Sequence, residues 1–207
     1  MKGKPKKVLV VGGSGHARVL VDTLQIQGRE IIGIADPKFK VGIKLLGISV
    51  LGGDEVVEGL LPEDVDLVNG IGALPGSSSR WRVAKSLRER GFDWTTVVHP
   101  SAFKSASAQV ETGVQVMAGA ILQTGVKIGR DAVINTGATV DHDCIIGEEC
   151  WVSPGAILCG GVQLGSQAYI GAGAIILQNI TIGSGVLVTA GSIIRNDILE
   201  VDSVGVE

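Results

Sequence analysis

The amino-acid sequence predicts two folds in succession: a small α/β domain with a parallel, Rossmann-like sheet over residues 1–97, then a parallel β-helix built of hexapeptide repeats over residues 98–207. Two observations carry this reading. Between residues 6 and 91, buried-strand runs alternate with stretches of helical spacing that end on glycine. From Val110 to Ile194, every sixth residue is aliphatic without a slip of phase.

In the first part, KVLVVG at residues 7–12 is a continuous apolar run stopped by Gly12 and Gly13, as expected of a strand buried on both faces. HARVLVDTLQIQG places Val19, Leu20, Thr23, Leu24 and Gln27 at helical spacing and closes on Gly28. EIIGIAD reads as a second strand ending at Asp36, and DLVNGIG as a later one. SSSRWRVAKSLRERG reads as a helix that starts at a serine cap and ends at Gly91.

In the second part, the aliphatic series is Val110, Val116, Leu122, Ile128, Ile134, Val140, Ile146, Val152, Leu158, Leu164, Ile170, Ile176, Ile182, Val188 and Ile194. Three residues beyond each comes a corner, which is glycine at nine of the fifteen places, from Gly113 to Gly191. Glycine there implies positive φ, and Asp131, Asp143, Asn179 and Asp197 are expected to share that conformation, which Asp and Asn tolerate best. Four residues beyond each aliphatic comes a mostly small side chain such as Ala132, Ala138, Cys144 or Cys150, which lets the next wall close. Three hexads make one triangular coil, so the repeat spans about five coils with no inserted loop.

Composition narrows the function. The 207 residues are 45% hydrophobic, enough for a substantial core. A net charge of -3 and an aromatic content of 3% argue against nucleic acid as a partner. No stretch approaches the ~18 apolar residues of a membrane span, and MKGKPKK followed by VLVV lacks the apolar length of a secretion signal. Cys144, Cys150 and Cys159 form no CxxC, and an odd number cannot all pair within the chain, which suits the cytoplasm.

VLVVGGSGHARVLVD at the start, HPSA at residues 99–102 and NTGATVDHDCIIGEECWVSPGA at residues 135–156 resemble the hexapeptide-repeat acyltransferases. Within these, the resemblance is to the nucleotide-amino-sugar N-acetyltransferases, with the sialic acid O-acetyltransferases as near relatives. It implies a left-handed β-helix, a homotrimer, and acetyl-CoA lying between two prisms as co-substrate. It also implies a nucleotide-amino-sugar acceptor acetylated on its amine, at C4. O-acetylation of sialic acid or another hydroxyl is the alternative, since one base serves both reactions.

His142 sits at a corner of the repeat, where its ring should project outward. A neutral imidazole with an ordinary pKa near ~6.5 can take the proton of an attacking amine at neutral pH, although a solvated corner residue would look the same. The resemblance decides for the base, with Asp143 holding the ring as a carboxylate does in other acyl-transfer sites. It further implies that Asn135 positions the sugar, a polar corner residue being the plain alternative. Trp151, Ala172 and Ala190 correspond to the positions that contact the cofactor, and Trp151 stands where relatives often have histidine. The chain ends in SVGVE, where relatives usually continue with a proline and a basic residue.

GGSGH after the first strand is half of a dinucleotide fingerprint, with Gly13 and Gly15 in place and Arg18 at the third glycine position. Asp36 stands about twenty residues on, where an acidic residue would hold ribose hydroxyls. The resemblance puts Ser14, Gly15 and His16 near the diphosphate or uracil end of the nucleotide sugar, with Asp36 and Pro37 beside them. Gly72 ends another strand on the same edge and approaches the ligand. His99 marks the entrance to the prism.

Cys144 and Cys150 fall on the small inward place of consecutive hexads, so wall filling accounts for them better than a covalent acyl-cysteine, and direct transfer is preferred. A zinc hydratase on such a prism would need three imidazoles from neighbouring walls. Of the three histidines, His16 and His99 lie outside the regular coils, so no metal is expected.

Overall fold

A computed structural model describes residues 6–200, so the SVGVE terminus and the first five residues lie outside the described residues. The chain divides into two compact units, Met1–Val97 and Val98–Glu207. No helix among the described residues is long and apolar enough to cross a membrane.

The first unit contains β1 (Lys7–Val11), α1 (Gly15–Ile26), β2 (Ile31–Ala35), β3 (Lys44–Leu45), β4 (Ile48–Gly52), α2 (Glu55–Glu58), β5 (Val65–Asn69) and α3 (Ser79–Glu89). The sheet order is β3-β4-β2-β1-β5, with β1 parallel to both β2 and β5. Val8, Leu9 and Val10 are wholly buried, as a strand covered on both faces requires. Helix α1 turns Ala17, Leu20, Val21 and Leu24 inward. Two elements lie beyond the sequence reading: the antiparallel β3–β4 pair, turned through Leu46 (φ 49°) and Gly47 (φ 83°), and the short α2. The expected serine cap of α3 is a correction. Ser78 at the N-cap makes no side-chain capping bond, and the Ser79 N–H reaches the Ser77 Oγ only at 3.5 Å.

The second unit is a three-sided parallel β-solenoid. Among the described residues its walls hold six, five and six two-residue strands. Each strand pairs with the one eighteen residues on: Ile121 with Thr139, Lys127 with Ile145, and Val133 with Trp151. One coil is therefore three hexads. All of the aliphatic series is buried except Val110, which is half-buried, and the small positions fill the space between them as one core.

The corners adopt left-handed backbone at every expected place from Gly113 to Gly191, with φ between 59° and 74°. Glu149 and Gln167 do so as well, at φ 60° and 63°. They stack one coil apart, Gln167 Nε2 donating to Glu149 Oε2 at 2.7 Å, so ladder bonds offset the cost of that conformation for a long side chain. Asp197 is the exception to the sequence expectation. The regular coil has ended there: its Oδ1 accepts from the Thr181 N–H at 2.9 Å, and Ile198 bridges to Ile182.

His99 closes the first turn of the prism. Its Nδ1 accepts from the Ser101 N–H at 3.0 Å and lies 2.7 Å from the Ser101 Oγ.

Candidate functional site: an imidazole on a prism edge and a glycine turn at a sheet edge

Three corners run the length of the prism, and two of them border the wall that contains Thr139–Val140. After Val140 the chain turns through Asp141, His142 and Asp143. The Asp141 Oδ1 accepts the His142 N–H at 2.7 Å and so fixes the turn. Asp143, at φ 59°, then swings its Oδ2 to 2.9 Å from the His142 Nδ1. The His142 side chain is 58% exposed. The hydrogen bond that the Asp143 carboxylate accepts from the ring raises the imidazole pKa above its ordinary 6.5; desolvation opposes it, and the charges of Asp141 and Asp143 add smaller upward contributions. With Nδ1 occupied by Asp143, Nε2 is the nitrogen left to accept a proton from an attacking group.

The pair is bounded by glycine on both sides along the prism axis. A Cβ built on Gly160, eighteen residues beyond His142, would meet the ring at Nε2 and come within 2.5 Å of Cε1. A Cβ on Gly125, eighteen residues before Asp143, would meet the Asp143 Oδ1.

Asn135, Ala172 and Ala190 lie on the other corner of the same wall. The Asn135 Oδ1 accepts the Thr136 N–H at 2.8 Å, which leaves the amide NH₂ as the group it can offer outward. Ala172 and Ala190 are exposed, and no backbone carbonyl among the described residues accepts from their N–H groups. Two such donors on successive coils, about 4.8 Å apart, fit the amide carbonyls of an extended pantetheine arm. Trp151 differs: its indole is buried to 6% exposure, so little of it is open to a ligand. Within one chain, then, the imidazole and the N–H groups of Ala172 and Ala190 stand on opposite borders of one wall.

That wall carries an outward ladder of Phe103, Ile121, Thr139, Ile157, Ile175 and Ile193, each paired with the next. Phe103, Ile157 and Ile193 are exposed. The outward residues of the wall beside it, Gln109, Lys127, Ile145, Gln163 and Thr181, are mostly polar.

In the first unit the loops after β1, β2 and β5 gather at the carboxyl ends of three adjacent parallel strands, where α/β sheets bind ligands. Ser14 and Gly15 are exposed at the start of α1, and a Cβ on Gly15 would meet nothing. Gly72 lies against His16, its hypothetical Cβ 3.7 Å from the His16 Cβ. Asp36 is nearly buried, its Oδ2 accepting the Gly13 N–H at 2.6 Å and its Oδ1 the Lys38 N–H at 2.8 Å, so it ties the glycine turn to the loop that carries the exposed Pro37. The buried Arg80 of α3 donates to the carbonyls of Asn69 and Ile71 at 2.8 and 2.6 Å and holds the segment leading to Gly72.

Both buried thiols point inward. The Cys144 Sγ donates to the Cys159 carbonyl and the Cys150 Sγ to the Gly165 carbonyl. Burial pushes their pKa values up to about 11 and about 12, so neither is a nucleophile near neutrality.

Residues 7–87 match the family model described as the PglD N-terminal domain, and residues 143–178 match bacterial transferase hexapeptide (six repeats). Comparison with solved structures finds a histidine-to-alanine variant of GDP-perosamine N-acetyltransferase from Caulobacter crescentus, in complex with CoA and GDP-perosamine. It is 34% identical over 94% of this chain and 91% of that one, with a TM-score of 0.87. The chain belongs to the hexapeptide-repeat acyltransferases of the nucleotide-amino-sugar N-acetyltransferase type. The acetyltransferase domain of PglB from Neisseria gonorrhoeae, in complex with acetyl coenzyme A, is 32% identical over 96% of this chain and 95% of that one, with a TM-score of 0.88. None of the curated proteins searched matches. As in this acetyltransferase family, the solenoid is a left-handed parallel β-helix.

Reading hexads alone does not single out Gly160 as part of an acetyltransferase site, because the corner glycine of its hexad is the next residue, Gly161 (φ 72°). The signal is in the doubled glycine after Cys159 and in the coil period, which stacks residue 160 on residue 142.

Proposed function

We propose that this enzyme moves acetyl from acetyl-CoA to the C4 amine of a nucleotide-linked amino sugar, by direct transfer with His142 as general base. It is an acetyl-CoA-dependent sugar acetyltransferase with acetyl-CoA as co-substrate. The observation that carries the assignment of the base is the exposed imidazole whose Nδ1 is 2.9 Å from Asp143, on an open edge of the prism. As the amine attacks the thioester carbonyl, its proton passes to Nε2, the imidazolium is stabilised by Asp143, and the CoA thiolate departs. The raised thiol pKa values of Cys144 and Cys150 support transfer without an acyl-cysteine.

The N-terminal unit takes the nucleotide at Ser14, Gly15, His16, Asp36, Pro37 and Gly72, and Asn135 positions the sugar. The N–H groups of Ala172 and Ala190 hold the pantetheine arm, while the buried Trp151 shapes the wall rather than meeting the ligand. Three copies assemble through the apolar ladder from Phe103 to Ile193. The placement of His142 on one border of that wall and of Ala172 and Ala190 on the other supports a site completed between copies. The proposed reaction belongs in the cytoplasm, a reading that its substrates, acetyl-CoA and a nucleotide sugar, support.

The test is acetyl-CoA turnover against UDP- and GDP-linked 4-amino sugars, free sialic acid and serine, with product mass and position read by mass spectrometry and NMR. An N-acetyl product at C4 that disappears in His142→Ala, with the variant still folded, is expected; an ester product on sialic acid would move the assignment to O-acetylation. A loss of ~100-fold or more in turnover is expected for His142→Ala, and full turnover in that variant would overturn the base.

A further inference from the structure

We propose that Gly160 is a positioning residue for the reaction: by carrying no side chain, it seats the His142 imidazole against the next coil of the prism and leaves Nε2 uncovered. The proposal rests on the reading of His142 as the base.

The fold does not ask for glycine at residue 160. The left-handed corner of this hexad is taken by Gly161 at φ 72°, and Gly160 itself is not among the residues with positive φ. The equivalent places one coil before and one coil after His142 and Gly160 are Thr124 and Gln178, so ordinary side chains occupy this row elsewhere. What distinguishes residue 160 is its neighbour. Coils stack about 4.8 Å apart, so a ring projecting from His142 toward the next coil reaches the backbone there. A Cβ at residue 160 would meet Nε2, lie 2.5 Å from Cε1 and lie 3.0 Å from Cδ2, which covers the whole outer edge of the imidazole.

The opposite side of the pair is closed in the same way. A Cβ at Gly125 would meet the Asp143 Oδ1 and stand 3.4 Å from its Cγ. Gly125 has φ 72°, however, so the corner needs glycine there in any case. Gly160 is the one of the two whose lack of a side chain answers to the site alone. With the ring braced against Gly160 and tied to Asp143 through Nδ1, Nε2 keeps one direction, as general-base catalysis requires. A methyl at residue 160 would tilt the ring away from Asp143 and cover the nitrogen that takes the proton.

The experiment uses the full chain carrying Gly160→Ala. Expected are a fall in kcat of between ~10-fold and ~100-fold with KM for acetyl-CoA within about twofold, and a His142 titration, followed by ¹H–¹⁵N NMR, that moves down toward that of an unpaired imidazole. Unchanged kcat and an unchanged titration would overturn the proposal. So would lost turnover with an unchanged titration, which would leave the base standing and the seat refuted. A shifted titration with full turnover would support the seat and refute His142 as the base. Stability supplies a second measurement if Gly160→Ala unfolds easily: adding His142→Ala should restore the lost Tm if the ring is what the methyl strikes, and a double variant as unstable as Gly160→Ala would overturn the contact.

Discussion

The His142 Nδ1 and the Asp143 Oδ2 lie 2.9 Å apart although the two residues are adjacent in the chain, and the left-handed backbone of Asp143 at φ 59° is the conformation in which the carboxylate makes that contact. The repeat supplies this geometry, since every corner has one left-handed residue. The proposed catalytic pair is a corner of the prism in which that residue is Asp instead of Gly.

Replacing Asp143 with Asn removes the negative charge from the acceptor whose bond chiefly raises the His142 pKa above 6.5. A base works in its neutral form, so activity rises as pH rises through its pKa. The acid limb of kcat/KM should therefore lie above pH 6.5 in the wild type and move down toward it in Asp143→Asn, with lower turnover on the plateau. The stabilisation linked to this raised pKa is present below the unfolded value and lost as pH rises through the folded one. The exposed ring makes it minor beside the catalytic effect. A pH–rate profile of both proteins checks the shift.

Cys144→Ala and Cys150→Ala should keep turnover within about twofold, because buried thiols with pKa values of about 11 and about 12 carry almost no thiolate near neutrality. Alkylation by iodoacetamide at pH 7.5, followed by intact mass, should leave both unmodified in the folded protein. A covalent acetyl adduct on either during turnover would contradict direct transfer.

Aspartate at Ile157 and Ile175 puts two charges in the middle of the apolar ladder, on strands that pair directly. Light scattering coupled to size exclusion should show the proposed trimer falling to single chains, with the prism still folded by circular dichroism and turnover lost. A variant that stays trimeric would move the interface to another wall.

Asp36→Ala leaves the Gly13 and Lys38 N–H groups without their acceptor. The expected cost is about 1–3 kcal/mol of stability, read by chemical denaturation. Because the glycine turn is loosened, nucleotide affinity measured by calorimetry should fall more than turnover at saturating substrate.

The β-helix was legible because its core obeys a rule with one term: an aliphatic residue every sixth place cannot face outward on a two-residue strand and a four-residue corner without exposing the whole series. The glycine corners followed from the same rule. Glu149 and Gln167 were not legible as corners, since their left-handed backbone is supported by a side-chain bond between coils, Gln167 to Glu149, that no single hexad contains. The β3–β4 hairpin escaped for a related reason, as its turn is Leu46-Gly47 in place of a usual Asn-Gly pair. His142 and Asp143 stood out as residue types, whereas Gly160 becomes part of the site only when the chain is laid out in rows of eighteen.

The eighteen-residue register also limits how such a chain can change. An extra hexad between Asn135 and His142 would carry the imidazole one third of the way around the axis, onto a border of a different wall. An extra eighteen residues would return it to its own border, one strand spacing farther along. Reactive groups on this scaffold can therefore be relocated only in whole steps, and the step size is written into the stacking of the coils.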